Sequence, residues 1–333
     1  EARTILALAH AVSGEKAGVT ASIAAQTNEN GFGQLGQSLD EAGRSIAAAD
    51  NLIILYGSEG LDYVGSSALA QACANLLIVT GHIGKPNNGL VPVWPHNNTQ
   101  GAWDMGVCPS EKPINEFISD AKTLLLAGSD PVGDGSTLPT DSFTVLVELF
   151  HTATAHQADV VLPAQAFTER EGTYTNGERR VQRFYPAMPV KGQCRADWQI
   201  FSQIGELLDL GKCPSHSSDV MLEITQEVPQ YDGMSYRNLA QVEKQWPDVG
   251  GEDLYYGGTA FDNSTGLGVQ YHTLAEQGRA MEVGVVHPAV ADTGALIALP
   301  TTVLYDRGTI FVRSDVMHPR LPEPIVELNF ADA

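Results

Sequence analysis

Apolar residues recur three and four positions apart over residues 3–13, which puts them on one face of a helix. A short apolar run over 52–57, bounded by polar residues, predicts a strand, and residues 63–79 predict a helix behind it, together a β-α unit of Rossmann-like kind. A small-residue strand is expected near 19–24. Further strands are predicted at 123–127, 144–150 and 159–162, spaced as in a doubly wound sheet. Between these blocks, residues 81–108 are rich in glycine, proline and asparagine. That composition predicts a long loop without regular elements, one that presents backbone and amide groups to a partner. Residues 214–300 mix short helical and turn-rich pieces, and the tail turns strand-like at 310–312 and 325–328.

The pattern changes most abruptly over 151–210. Val160, Val161 and Leu162 form an apolar run closed by Pro163, as expected of a parallel strand buried on both faces. Residues 169–180 are then too polar to be buried without partners and predict a loop. Asp197 is placed to cap a helix whose stripe is Trp198, Ile200, Phe201, Ile204 and Leu207. Ligands of open α/β sheets collect beyond the carboxyl ends of strands, so this loop is the first candidate for a binding site. The competing reading is a solvated connection whose charges pair with one another.

Composition narrows the field. The 333 residues suffice for more than one core, and 40 acidic against 19 basic residues give a formal charge of -21. Such a surface argues against nucleic acid as a partner, and no apolar run approaches the roughly 20 residues of a membrane helix. Cys73, Cys108, Cys194 and Cys213 form no CxxC pair and no disulfide framework. Glu1 opens directly on the first helical pattern without an initiator methionine, which leads us to expect a piece of a longer protein.

Several other chemistries lack parts. The string at 31–36, GFGQLG, matches a dinucleotide fingerprint with Glu59 as a ribose acid, but its expected strand ends several polar residues too early. A glycine-rich turn that lets a loop pass close to a neighbour is the favoured reading. His151 with His156, and His82 with His96, have no close carboxylate or cysteine partner for a metal. Glu169 and Glu171 flank Arg170 and read as ion-paired loop residues. No nucleophile elbow or P-loop occurs.

One long constellation is more specific. Asn75, Leu76 and Leu77, then Gly81, His82, Ile83, Gly84, Lys85 and Pro86, then Asn97, Asn98, Gln100, Gly101, Asp104, Met105 and Gly106 resemble the signature of the molybdopterin oxidoreductase superfamily, which includes formate dehydrogenases. Residues 304–309, the run from Pro324 to Asn329, and Ala331, Asp332 and Ala333 further resemble the large iron–sulfur subunit of bacterial NADH:quinone oxidoreductase, respiratory complex I.

The resemblance implies an α/β fold of two Rossmann-like doubly wound α/β/α domains, ending at the start of a truncated β domain. The divisions expected are 1–92, 93–215 with the cofactor-type loop, an irregular segment 216–300, and 301–333. In cofactor-loaded relatives, positions matching Glu148, Thr152, Asn176 and Asp197 hold the guanosine end of molybdopterin guanine dinucleotide. Carboxylates suit guanine N–H donors, and Arg179 with Arg180 suits phosphate. The same residues also suit ordinary caps and packed loops. Trp94, Pro95 and His96 stand where formate dehydrogenase relatives carry arginine, glycine and glutamine.

On that departure the expected function is a catalytically silent scaffold within the peripheral arm of NADH:quinone oxidoreductase. It would hold no cofactor and no catalytic or metal-ligating residue of its own, with iron–sulfur clusters in an upstream part. Its partners would be other peripheral-arm subunits and its own cluster domains, at the cytoplasmic face of the membrane without insertion. The alternative is part of an active molybdenum or tungsten formate dehydrogenase-like enzyme binding molybdopterin guanine dinucleotide.

Overall fold

Two parallel sheets carry the chain's central elements in a computed structural model. It describes residues 2–13, 36–57, 61–85, 87–94, 96–110, 112, 114–239, 268–273, 276–286, 301 and 313–330. The candidate strand at 19–24, the glycine string except Gly36, Glu59, Pro86, Pro95 and residues 302–312 and 331–333 lie outside the described residues.

The first unit comprises α1 (Ala2–Ser13), α2 (Gly36–Ala48), β1 (Ile53–Tyr56), α3 (Tyr63–Val79) and β2 (Gly89–Pro92). Helix α3 begins where the Asp62 carboxylate accepts the Gly65 N–H at 2.7 Å. Its small residues let α1 approach closely: Leu6 packs on Ala68 and Ala72, and Ala9 on Leu76 and Val79. Thr80 ends the helix, its hydroxyl donating to the Leu76 carbonyl at 2.8 Å. The buried His82 ring then bridges Thr80 Oγ1 at 2.7 Å and the Ala49 carbonyl at 2.8 Å, tying the end of α2 to that of α3.

The segment expected to be wholly irregular, 81–108, instead contributes β2, parallel to β1 from Ile53↔Gly89 to Tyr56↔Pro92, and helix α4 (Thr99–Asp104). Proline at the end of β2 removes no ladder bond that the strand needs, because Val93 N–H resumes donation to the Tyr56 carbonyl at 2.7 Å. Glycine and asparagine content masks these elements, which tertiary pairing imposes.

The second unit runs through α5 (Ile114–Ser119), β3 (Thr123–Ala127), β4 (Phe143–Glu148) and β5 (Val160–Pro163), a parallel sheet in the order β3-β4-β5. Leu124, Leu146 and Val147 are its buried centre. Pro163 is the last residue of β5 and pairs with Glu148, so it belongs to the strand it was expected to stop.

The polar stretch 169–180 is likewise not a free loop. It forms β6 (Gly172–Thr175), antiparallel to β7 (Arg180–Phe184), which in turn pairs with β8 (Val269–Gln270). Period-two pairing satisfies the backbone while half of the side chains stay polar, which composition alone conceals. Helices α6 (Asp197–Leu207), α7 (Ser217–Glu227) and α8 (Tyr236–Leu239) follow. Val181 of β7 packs with Met221, Tyr231, Met234, Leu239 and Tyr271 in one core. Gly268 enters β8 at φ +79°, and a side chain there would collide with the Val181 carbonyl oxygen. The tail strand expected at 325–328 is absent: those residues carry no ladder and are largely exposed.

Asn75 reaches across 209 residues from the buried face of α3, donating to the Gly284 carbonyl at 2.8 Å and accepting its N–H at 2.9 Å. Gln71 supplies a further donor to the same amide oxygen at 3.0 Å. Asn75→Ala is expected to lower stability by about 2–3 kcal/mol, because two backbone groups lose partners inside the core. Urea unfolding measures this, and a loss below about 0.5 kcal/mol would show that the clasp is not structural.

Candidate functional site

At the carboxyl edge of β3, the chain turns at Gly128, φ +57°, and reaches Asp130. Asp130 Oδ1 accepts the N–H and hydroxyl of Thr154 at 2.8 and 2.7 Å and the Gly133 N–H at 3.2 Å. Burial pushes this carboxyl up, but the hydrogen bonds from Thr154, Gly133 and Ala153 outweigh it and hold it below its usual range. The Thr154 hydroxyl oxygen also accepts from Val132 N–H at 3.1 Å, so β3 and β4 end in one locked turn.

Glu148 ends β4. It is buried, and its Oε1 accepts the Leu149 N–H at 2.6 Å; among the described residues, Oε2 accepts nothing. Thr152 is also buried, and its hydroxyl oxygen accepts the Ala155 N–H at 3.2 Å. The Ala164 N–H donates to the Glu148 carbonyl, and Ala164 bridges in parallel to Arg195, which places the start of α6 next to the end of β5, on the side away from β4.

There Ala196, not Asp197, is the helix N-cap, and its N–H is accepted by Gln199 Oε1 at 3.3 Å. Asp197 occupies the first helical position, where the helix dipole favours a carboxylate, and pairs with the Arg170 guanidinium. The expectation of a cap is thus corrected by one residue, within the usual uncertainty of helix ends. Glu169 does not pair with Arg170. It is buried and accepts the backbone N–H groups of Ala166 and Lys191 at 3.0 and 3.2 Å.

Asn176 and Arg179 sit apart from that edge, in the β6–β7 turn. Asn176 Oδ1 accepts the N–H groups of Glu178 and Arg180, both at 3.0 Å. Arg179 takes φ +65°, and its Nε donates to the Tyr271 carbonyl at 3.4 Å. Arg180 is buried, which depresses its guanidinium. Glu148 and Thr152, at and after the end of β4, and Asp197, one strand further beyond β5, thus follow the carboxyl ends of successive strands, and Asn176 with Arg179 lies on the β6–β7 hairpin. The chain from Arg170, the partner of Asp197, to Thr175 connects the two groups.

What sequence reasoning missed is the device that holds this hairpin. Asp104 Oδ2 accepts from the hydroxyls of Tyr231 and Tyr271, each at 2.9 Å, and its Oδ1 accepts from Gln100 Nε2 at 2.9 Å. Because the single Tyr231 proton goes to the carboxylate, Thr175 Oγ1, 2.6 Å away, must donate to the tyrosine oxygen. Thr175 N–H in turn donates to Asn98 Oδ1 at 2.9 Å. Asn98, Gln100 and Asp104 are visible as motif members. Tyr231 and Tyr271 come from the segment without motif content, and no local signal marks them.

A second cluster secures the far end of the hairpin. Glu171 accepts from Arg183 at 2.9 Å and from the Ser217 hydroxyl at 2.6 Å. The Ser217 hydrogen bond first, and Arg183 with it, hold the Glu171 carboxyl below its usual range against the effect of burial. The Arg183 guanidinium lies 4.4 Å from the Tyr185 ring and 4.1 Å from the Tyr236 ring.

Parallel strands ending in a polar, hydrogen-bonded edge define an α/β protein whose ligand site belongs at the strand carboxyl ends. The sequence profile of the family described as molybdopterin oxidoreductase matches residues 14–207, and the chain belongs to that family. It is 31% identical over 345 residues to the alpha subunit of F420-dependent formate dehydrogenase 2 of Methanococcus maripaludis, covering 89% of this chain and 50% of that protein. Against the alpha subunit of the F420-dependent formate dehydrogenase of Methanocaldococcus jannaschii the identity is 28% over 343 residues, 88% and 49% of the two chains. A putative formate dehydrogenase of Bacillus subtilis is 31% identical over 244 residues, 61% of this chain and 25% of that protein. The chain thus spans about half the length, or less, of the curated relatives it matches.

Burial first, and then the Asp104 charge, raise the Tyr231 and Tyr271 phenols above their ordinary value of 10.0. A raised acid in the folded state keeps its proton longer than in the unfolded chain. The latch therefore contributes fully below pH 10 and its contribution erodes as pH climbs past that value. Stability measured by denaturant should fall above this pH, with a shallower fall in the Tyr231→Phe/Tyr271→Phe protein. Equal slopes would remove the latch from the pH response. At neutral pH, Tyr231→Phe should cost about 1–3 kcal/mol through the stranded Asp104 and Thr175 groups.

Proposed function

We propose that the chain is the nucleotide-holding part of a molybdopterin-dependent oxidoreductase of formate dehydrogenase type. The observation that carries this reading is the breadth of the likeness: formate dehydrogenase alpha subunits align along 89% and 88% of the chain, well past the segment matched by the family profile.

The residues present suit a pterin nucleotide. Gly57 and Gly128, immediately after β1 and β3, have nothing within 4 Å of where a side chain would begin, so both strand ends leave room for a ligand. Glu148 retains a carboxylate oxygen for a guanine donor, and Asp197 offers a second carboxylate one strand further along, beyond β5. Arg179 presents a guanidinium from a turn whose backbone Asn176 fixes, which suits a phosphate. When bound, the cofactor supplies two-electron redox chemistry at its metal. This chain's contribution is to bind the nucleotide end, neutralise phosphate and fix the loops around it. The likeness to formate dehydrogenase alpha subunits favours this loaded site over the cofactor-free scaffold.

A second reading keeps the scaffold within NADH:quinone oxidoreductase. It is favoured by Trp94 and His96 in place of the polar residues of formate dehydrogenase relatives, and by the internal partners of Thr152 and Asn176.

Metal and pterin analysis of the full-length protein from its native host separates the two. Near-stoichiometric molybdenum or tungsten with a guanine-containing pterin, and formate-dependent dye reduction, are expected. A folded protein devoid of both metal and pterin would overturn the proposal and leave the scaffold. Glu148→Gln, which loses one acceptor but keeps the shape, should lower pterin occupancy by about tenfold.

A further inference from the structure

The β6–β7 turn is held from outside as well as from within. Arg179 stands in it at φ +65°, a region that residues other than glycine adopt only where their surroundings fix them. Asn176 Oδ1 accepts the N–H groups of Glu178 and Arg180 from inside the turn. The carbonyls of Glu178 and Arg179 are taken by one other segment: Gln270 Nε2 donates to the first at 2.8 Å and Tyr271 N–H to the second at 3.2 Å. Arg179 Nε completes the exchange by donating to the Tyr271 carbonyl at 3.4 Å.

That segment is weak where it meets the turn. Strand β8 is two residues long and, among the described residues, pairs with β7 alone, a ladder too short to stand without further support. The Tyr271 hydroxyl on Asp104 anchors the tip of the ring and leaves the main chain to other bonds. Just past it, Thr273 N–H and hydroxyl donate to the Glu276 carboxylate at 2.5 and 2.8 Å, and Glu276 N–H donates to the Thr273 hydroxyl at 3.1 Å, a reciprocal box that turns the chain. The segment then enters the first unit. Val283 packs with Ala9, Leu76 and Val79, and Val286 with Leu6, Ala68 and Ala72. Between them Gly284 exchanges two hydrogen bonds with the fully buried Asn75.

We propose that Asn75, on α3, is a positioning residue for Arg179, acting through residues 268–286 as a tie between the two units. With both ends fixed, β8 stays in register and the carbonyls of Glu178 and Arg179 keep their donors. Release at Gly284 leaves the main chain at Tyr271 to a two-residue ladder, so β8 opens more often, and each opening lets Arg179 leave its left-handed conformation. The coupling runs through a continuous chain of covalent and hydrogen bonds, and it makes the direction of the guanidinium depend on a helix of the other unit. It goes beyond the nucleotide reading, since the tie holds whatever the pocket binds.

Residue-resolved hydrogen exchange on the full-length protein tests the tie, because the amides concerned are the bonds themselves. In Asn75→Ala, the amides of Tyr271, Glu178 and Arg180 should exchange about tenfold faster, while those of Gly128 and Phe143, which join β3 to β4, keep their wild-type rates. Gln71→Ala removes a donor to Asn75 and keeps a good helix former in α3. It should fold even where Asn75→Ala does not, and show the same pattern at about threefold. Faster exchange confined to Gly284 and α3 would make the clasp local and overturn the proposal. A uniform rise, reaching Gly128 and Phe143 alike, would overturn it by assigning Asn75 to global stability only. Acceleration at Tyr271 with Glu178 and Arg180 unmoved would also overturn it, leaving a tie that reaches β8 without positioning Arg179.

Discussion

The Asp104 carboxylate is where separate parts of this chain are made to agree. Two buried tyrosines and a glutamine donate to it, and one of those tyrosines accepts from the threonine that ends β6. Each donor comes from a different stretch: α4 itself, the turn after α7, and the strand exit after β8. A partly buried carboxylate is costly without donors, so Asp104 tolerates its place only while all of these stretches are docked. The hairpin that carries Asn176 and Arg179 therefore takes its position from residues far away in sequence, and not from its own turn.

This explains which parts of the structure are legible in the sequence. Helix α3 and strand β3 fall at their expected bounds because β3 is a short apolar run and α3 a long stretch of small and apolar residues that Asp62 caps. Strand β2 does not, since Gly89, Leu90, Val91 and Pro92 become a strand only through parallel pairing with β1. The β6–β7 hairpin is hidden for a related reason: its polar residues have partners, Glu171 with Arg183 and Ser217, and Thr175 with Asn98 and Tyr231. Polar sequence there does not mean solvent exposure. The expected 325–328 strand fails in the opposite sense, as its β-branched residues have no ladder partner.

Of the five residues nominated for the site, Glu148 ends a strand, Thr152 lies in the turn that follows, Asp197 opens α6 and Asn176 with Arg179 lies on the hairpin, and most of their polar atoms also serve the fold. Asn176 closes its own turn, Thr152 caps the bend after β4, and Asp197 pairs with Arg170. On the proposed reading, the groups that would meet a nucleotide are the same ones that fix these turns. Glu148 is the clearest division of labour, with one carboxylate oxygen committed to the backbone and the other uncommitted among the described residues. Asp130, after the end of β3, takes three hydrogen bonds on Oδ1, and those bonds account for its depressed pKa.

The clasp between Asn75 and Gly284 closes a separation of 209 residues, and its cost is paid in time as well as entropy. During synthesis at about 5–20 residues per second, α3 leaves the ribosome on the order of ten seconds or more before Gly284 does. Until then a core asparagine and the apolar faces that later receive Val283 and Val286 have no lid. Maturation of the first unit is thus timed by the arrival of a strap encoded 209 residues after Asn75.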